Sequence, residues 1–231
     1  MNRIAIACIA ALLGSTALQV SASEPGGERH VYTYAVSLDH DGRVTALAPV
    51  GQVPAEAADV LEQQVRGWLF QPVDDNCGAD VDTWLRITTR TDGDGVHVES
   101  ATTGPAPRTM AFPEYPRAAG LRGESGVVVM RLDVDARGQV TEATVYDTGA
   151  RPSRALATAA RDAALSWAFH PERVNGQPVA STVLLPMCFL TGEPTPQTCS
   201  WNGPQSRRFS RHTVLTLEPA ARLKGELALG D

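Results

Sequence analysis

The sequence predicts an α+β fold made of two small antiparallel sheets, each packed by one or two helices and arranged as a tandem repeat. Three observations predict it. Asp41-Gly42-Arg43-Val44 is followed by an Ala/Leu-rich helical stretch and Trp68-Leu69-Phe70-Gln71-Pro72. Arg137-Gly138-Gln139-Val140 is followed by a second such stretch and Trp167-Ala168-Phe169-His170-Pro171. Each copy is preceded by a run of alternating hydrophobicity, so both read strand, glycine turn, strand, helix, Trp-x-Phe-x-Pro, strand.

The elements follow in order. Residues 1–22 read as a signal peptide, with Arg3 as the positive end, Ile4 to Val20 as the apolar run and Val20-Ser21-Ala22 as the cleavage site. The mature chain is then exported to the periplasm and begins near Ser23; the alternative is an uncleaved inner-membrane anchor facing the periplasm. His30 to Leu38 alternates and is rich in β-formers, so it reads as a strand. Asp39-His40-Asp41-Gly42 turns the chain, and Arg43 to Ala48 returns. Pro54 suits a first helical turn, after which Ala57, Leu61, Val65 and Trp68 share one helical face. Val81 to Thr91 is a strand, and Asp92-Gly93-Asp94-Gly95 turns it toward Val96 to Ser100. These elements make a first module, residues 30–100, and 101–111, with Gly104, Pro105 and Pro107, reads as a linker.

The second module is residues 112–190. Tyr115 to Gly120 forms a short helical turn. In Gly126 to Val134, the face with Val128, Met130, Leu132 and Val134 is the more apolar and points to the core. Asp135 to Gly138 turns into Gln139–Tyr146. Ser153 is the expected N-cap of a helix running to about Trp167, with Leu156, Ala160, Ala163 and Trp167 on one face. Asn175-Gly176 turns into a long last strand, Pro178 to Leu190. Pro186 inside it argues for a sheet edge, because proline cannot donate to a ladder. Residues 191–231 are loop and C-terminal extension, with Thr213 to Leu217 as one further strand.

Composition narrows the function. A net charge of −6 supplies no positive field for nucleic acid. After cleavage three cysteines remain in an oxidising compartment. Cys188 and Cys199 flank one loop and are the expected disulfide; Cys77 with Cys199 is the second arrangement. The five histidines are scattered, and neither Asp39-x-Asp41-Gly42 nor Asp92-x-Asp94-Gly95 has the remaining ligands of a calcium loop. No metal site, cofactor or catalytic residue is expected, since no nucleophile elbow, phosphate loop or zinc motif is present. Trp68, Phe70, Trp167 and Phe169 are expected in the cores.

Phe112 to Leu190 resembles the TonB C-terminal domain family. The residues that carry the resemblance are Tyr115-Pro116 with Ala118 and Gly120, then Gly123, Gly126-x-Val128-x-Met130 and Val134-x-x-x-Gly138-x-Val140. Trp167-x-Phe169-x-Pro171 and Gly176-x-Pro178-Val179 complete it. His30 to Thr91 looks like a divergent second copy without the Tyr-Pro opening. The resemblance implies a binding module that offers its last strand to an extended peptide, typically from an outer-membrane transporter. The edge it implies carries Val179, Ser181, Val183, Leu185, Met187 and Phe189. Several backbone hydrogen bonds at roughly 0.5–1.5 kcal/mol each give reversible affinity. The same edge could pair with itself in a homodimer, or the extension, through Thr213 to Leu217, could fold back over it. In place of the long spacer of a full-length transducer, Ser23 to Phe112 holds a folded-looking module.

Overall fold

The computed structural model describes residues 27–72, 78–148, 151–191 and 214–225. The signal segment, Cys77 and Cys199 lie outside the described residues. The first half runs β1 (Glu28–Leu38), β2 (Val44–Val50), α1 (Ala55–Arg66), β3 (Phe70–Pro72), β4 (Val81–Asp92) and β5 (Gly95–Gly104). Then come β6 (Ala106–Thr109), α2 (Arg117–Leu121), β7 (Gly126–Val134), β8 (Val140–Val145), α3 (Arg154–Ala164) and β9 (Ala168–His170). The chain continues through β10 (Arg173–Val174), β11 (Gln177–Pro178) and β12 (Ser181–Phe189), and the tail adds β13 (Leu215–Thr216) and β14 (Ala221–Leu223). All described pairings are antiparallel. One sheet has the order β11-β10-β4-β1-β2 with β5 also on β4, and another has the order β13-β12-β7-β8. Two small ladders, β6-β9 and β14-β3, complete the pairing.

The same joint is built twice, for the same physical reason. Asp39 accepts the backbone N–H of Asp41 and Arg43 on its carboxylate, at 3.0 and 2.8 Å. Asp135 does so for Arg137 and Gln139 at 2.9 and 2.8 Å. Such a side-chain turn needs a left-handed residue to close it, and Gly42 and Gly138 supply φ of 78° and 80°. Each glycine carbonyl then accepts the amide of the Trp-x-Phe phenylalanine, Phe70 at 2.8 Å and Phe169 at 2.7 Å. A Cβ on either glycine would lie 1.8 or 1.9 Å from that phenylalanine's carbonyl oxygen, so only glycine fits.

Each module builds a core on its own helix, and the tail completes both, with Ala220 and Ala221 in the first and Val214 in the second. In the first, α1 lays Ala57, Leu61 and Val65 on Tyr34, Val36, Leu85, Ile87 and Phe70. In the second, Leu156, Ala160 and Ala164 of α3 pack on Val128, Met130, Leu132 and Val134, the face expected from the alternation. Phe70, Trp167 and Phe169 are buried, but Trp68 is only half-buried against its core. The opposite face of β7 is not solvent either, for Val129 is buried against Leu184 and Leu215.

The structure departs from the sequence reading in three places. Residues 101–109, read as a linker, are strand: the end of β5 and then β6, which pairs with β9. The last strand is divided, because Asn175 adopts φ 49° and the short β10–β11 hairpin leaves to pair with β4. The tail, read as extension with one further strand at Thr213 to Leu217, holds a second, since Ala221–Leu223 pairs with Phe70–Pro72. These segments are too short to show a period, and neighbours distant in sequence give them their strand geometry.

The chain therefore uses one device twice. After β4, β5 covers its outer side and β6 crosses to the Trp-x-Phe strand of the second module. After β12, β13 lies on its outer side and β14 crosses to the Trp-x-Phe strand of the first.

Candidate partner-binding edge

The residues named for the edge fall in two groups. Val179 precedes β12, and its N–H donates to the Glu172 carbonyl at 3.0 Å. Val183, Leu185, Met187 and Phe189 point into the second core and Ser181 is buried, so none of these five side chains faces an incoming strand. What β12 presents outward is backbone.

Which backbone groups point outward follows from one bond. Leu217 N–H donates to Thr182 C=O at 3.0 Å, so the polar groups of Thr182 face away from β7. In a strand that direction repeats every second residue, which turns the backbone groups of Leu184, Pro186 and Cys188 the same way. Pro186 sits where its missing N–H costs the β7 ladder nothing, and this explains a proline opposite Val129 within an uninterrupted register. β13 occupies only the first part of this outer side, with Thr216 opposite Val183 and Leu215 opposite Leu184. Among the described residues no strand pairs with the outer side of Pro186 to Phe189. Cys188 is disulfide-bonded.

The far end of β12 is fixed by the Tyr-Pro opening. The Tyr115 ring meets Phe189 edge-on at 5.8 Å, and its hydroxyl donates to the Glu124 carbonyl. Ala119 of α2 is fully buried beside it. The Glu124 carboxylate receives Arg122 Nε at 2.5 Å and the Ser153 hydroxyl, and these two bonds hold its pKa below the ordinary glutamate value. Ser153 also caps α3 by accepting Leu156 N–H at 3.5 Å. Ser153→Ala removes the cap and one partner of Glu124. A loss of about 1 kcal/mol is expected in a urea melt, and an unchanged midpoint would mean that the cap does not hold α3.

The near end of β12 meets a buried polar cluster that joins both modules and the tail. Glu172 is fully buried; it accepts the Thr83 hydroxyl at 2.6 Å and the Ala220 N–H at 3.2 Å. Burial pushes its carboxyl pKa up, against the opposing pull of Thr83, Ala220 and the charge of Arg86. Arg86 is 4% exposed and donates to Pro105 C=O at 2.8 Å and Thr103 C=O at 3.3 Å. Burial lowers its pKa to about 10, with the Glu172 charge opposing. The Thr103 hydroxyl donates to Ala221 C=O. Gly104 lies so close to Thr216 that a Cβ there would be 1.6 Å from the threonine hydroxyl oxygen. His170 packs on Trp84 across the same junction at 5.2 Å. Sequence reasoning missed this cluster, because a single Glu after Trp-x-Phe-x-Pro and a single Arg in a strand carry no spacing signal.

Among the described residues no group of His, Cys, Asp and Glu is placed to hold a metal ion, and no helix is long and apolar enough to cross a membrane.

Residues 111–190 match the family described as Gram-negative bacterial TonB protein C-terminal. The chain is similar to Protein TonB of Xanthomonas campestris pv. campestris strain B100, at 42% identity over 82 residues, or 36% of each chain. It is also similar to Protein TonB of Vibrio cholerae serotype O1, at 35% identity over 78 residues, covering 33% of this chain and 31% of that one. The chain thus spans about a third of the length of the curated relatives it matches.

Proposed function

From the membership of residues 111–190 in the TonB C-terminal domain family, we propose that the protein is a non-enzymatic binding module that takes up a partner peptide by β-strand addition on the outer side of β12. The observation that carries this reading is the pairing of β12. It is a nine-residue strand held on one side along its whole length by β7, while among the described residues the other side carries only the two-residue β13. Backbone groups on such an edge accept a further strand in register, and the partner's side chains then find their places on either face of the sheet. The family points to an outer-membrane transporter as the partner and to TonB-type transport as the setting.

The first module reads as a divergent copy of the second. The matching aspartate turns, the glycine-to-phenylalanine bonds and the equivalent order β2-β1-β4 and β8-β7-β12 support this. Its last strand is not on offer, because β5 pairs with β4 from Trp84 to Asp92. Its role is to brace the second module through Thr83, Arg86 and Trp84. The compartment proposed is the periplasm after cleavage near Ala22, with Cys188 joined to Cys199. The mass of the protein recovered from its native envelope tests the compartment: a chain retaining Ile4 to Val20 would instead mean an inner-membrane anchor.

Strand addition is tested by titrating isotope-labelled protein with a synthetic peptide from the N-terminal segment of an outer-membrane transporter. The amides of Thr182, Leu184 and Cys188 should shift, while those of β4 stay in place. Shifts confined to β2 or β8, or none at saturating peptide, would overturn the reading. A concentration-dependent dimer with the same β12 shifts and no peptide would favour self-pairing of the edge.

A further inference from the structure

We propose that the tail from Val214 to Leu223 is a built-in competitor for the β12 edge, hinged so that β13 peels away from β12 while β14 stays bound to the first module. The inference rests on the strand-addition reading and adds what regulates the site.

The two tail strands are held very differently. β13 has two residue pairs on β12, the Leu217–Thr182 bond, the side chains of Val214 and Leu215 tucked against the second module, and Thr216 packed on Gly104 without a backbone ladder there. β14 has three residue pairs on β3, and Lys224 N–H adds a bond to Leu69 C=O at 2.8 Å. Just before it, Ala220 donates to the buried Glu172, and Ala221 accepts from Thr103. Ala220 and Ala221 are both core residues of the first module. Local opening takes the least-held segment first, and here that segment is β13. Only Leu217 to Ala220 separate it from the anchored β14. A released β13 therefore stays close to β12 and recloses at a high effective concentration.

Such an occupant is the right shape for the site it blocks. It is a strand in antiparallel register on the same backbone groups of Thr182 and Leu184 that a partner would use. Pro186 prevents a partner from avoiding it by moving further along, since the next outward position has no N–H to offer. A partner must therefore replace β13 to gain more than the last few residues of the edge, and its apparent affinity is scaled down by the fraction of molecules that are open.

Two measurements on the full chain test this. The first is amide hydrogen exchange without ligand. Leu217 N–H should exchange roughly tenfold faster or more than Lys224 N–H and the β7–β12 ladder. Equal protection at all three would overturn the hinge. The second uses a fluorescent synthetic peptide of the sequence Arg211–Pro219, titrated into the wild type and Leu215→Pro. Proline there removes the donor of β13 and leaves β12 and β14 unchanged. The variant should bind about tenfold tighter or more, and equal affinity in the two proteins overturns the competitor. If exchange shows β13 detached in Leu215→Pro and the peptide still does not bind, strand addition itself fails; Leu217→Gly, which weakens β13 without proline, repeats the comparison if Leu215→Pro does not fold.

Discussion

Glu172→Ala should cost about 3–5 kcal/mol of stability, measured as a shift in urea midpoint. The mutation does more than delete one acceptor. It leaves Arg86 as a buried cation without a compensating charge, and it leaves the Thr83 hydroxyl and the Ala220 N–H without their acceptor. Glu172→Gln should cost less, because an amide oxygen still accepts from both. The double variant Arg86→Met with Glu172→Gln should lose less than the two single variants combined, since neither charge then remains alone in the junction. Strict additivity would mean that the two charges do not sense each other. The pH dependence has a definite sign. Glu172 has a folded pKa above its ordinary value of 4.5, so the folded state holds the proton more tightly than the unfolded one. Its contribution is fully present below pH 4.5 and is lost as pH rises through the raised folded value. Wild type should thus lose stability relative to Glu172→Gln across that window, and a flat difference would count against the buried carboxyl.

Trp167→Ala should cost about 3–5 kcal/mol, while Trp68→Ala should cost only about 1–2 kcal/mol, although the two residues occupy equivalent places. Trp167 is 1% exposed and its Nε1–H donates to Ala111 C=O at 2.7 Å. That carbonyl lies between β6 and the Tyr-Pro opening. The first module has no such opening, and its Trp-x-Phe strand is flanked by β14 from the tail, so Trp68 remains half-buried. Trp167→Phe separates the two contributions, with the hydrogen bond alone worth about 1 kcal/mol. Equal losses for Trp68→Ala and Trp167→Ala would contradict the difference in packing.

The parts of the fold that were legible in the sequence are those whose cause is local. Alternation placed Val128, Met130, Leu132 and Val134 on the core face, and all four are buried there. Asp135 and Gly138 announced their turn, and Ser153 its cap, because side-chain chemistry sets each within a few residues. Thr213 to Leu217 was recognisable as strand, and Leu215–Thr216 forms one. What the sequence did not reveal was set by long-range contact. β6 and β14 are strands only because β9 and β3 lie beside them. The edge residues of β12 had the right strand but the wrong emphasis: alternation identifies a face, whereas strand addition uses the backbone between faces. Glu172 and Arg86 have no pattern, because their hydrogen-bond partners come from three separate segments, at Thr83, Thr103–Pro105 and Ala220.

The crossing of β14 onto β3 also sets an order of events for a chain that emerges N-terminus first. Leu223 pairs with Phe70, roughly 150 residues earlier in the sequence. The first module can form its helix and main hairpins early, but its core lacks Ala220 and Ala221 until nearly the whole protein has been delivered. The second module, whose β6 is contiguous with it, waits only as far as Val214, the one described tail residue in its core. The half that appears first is therefore the half that finishes last, and an interrupted chain leaves the Phe70 strand without its neighbour.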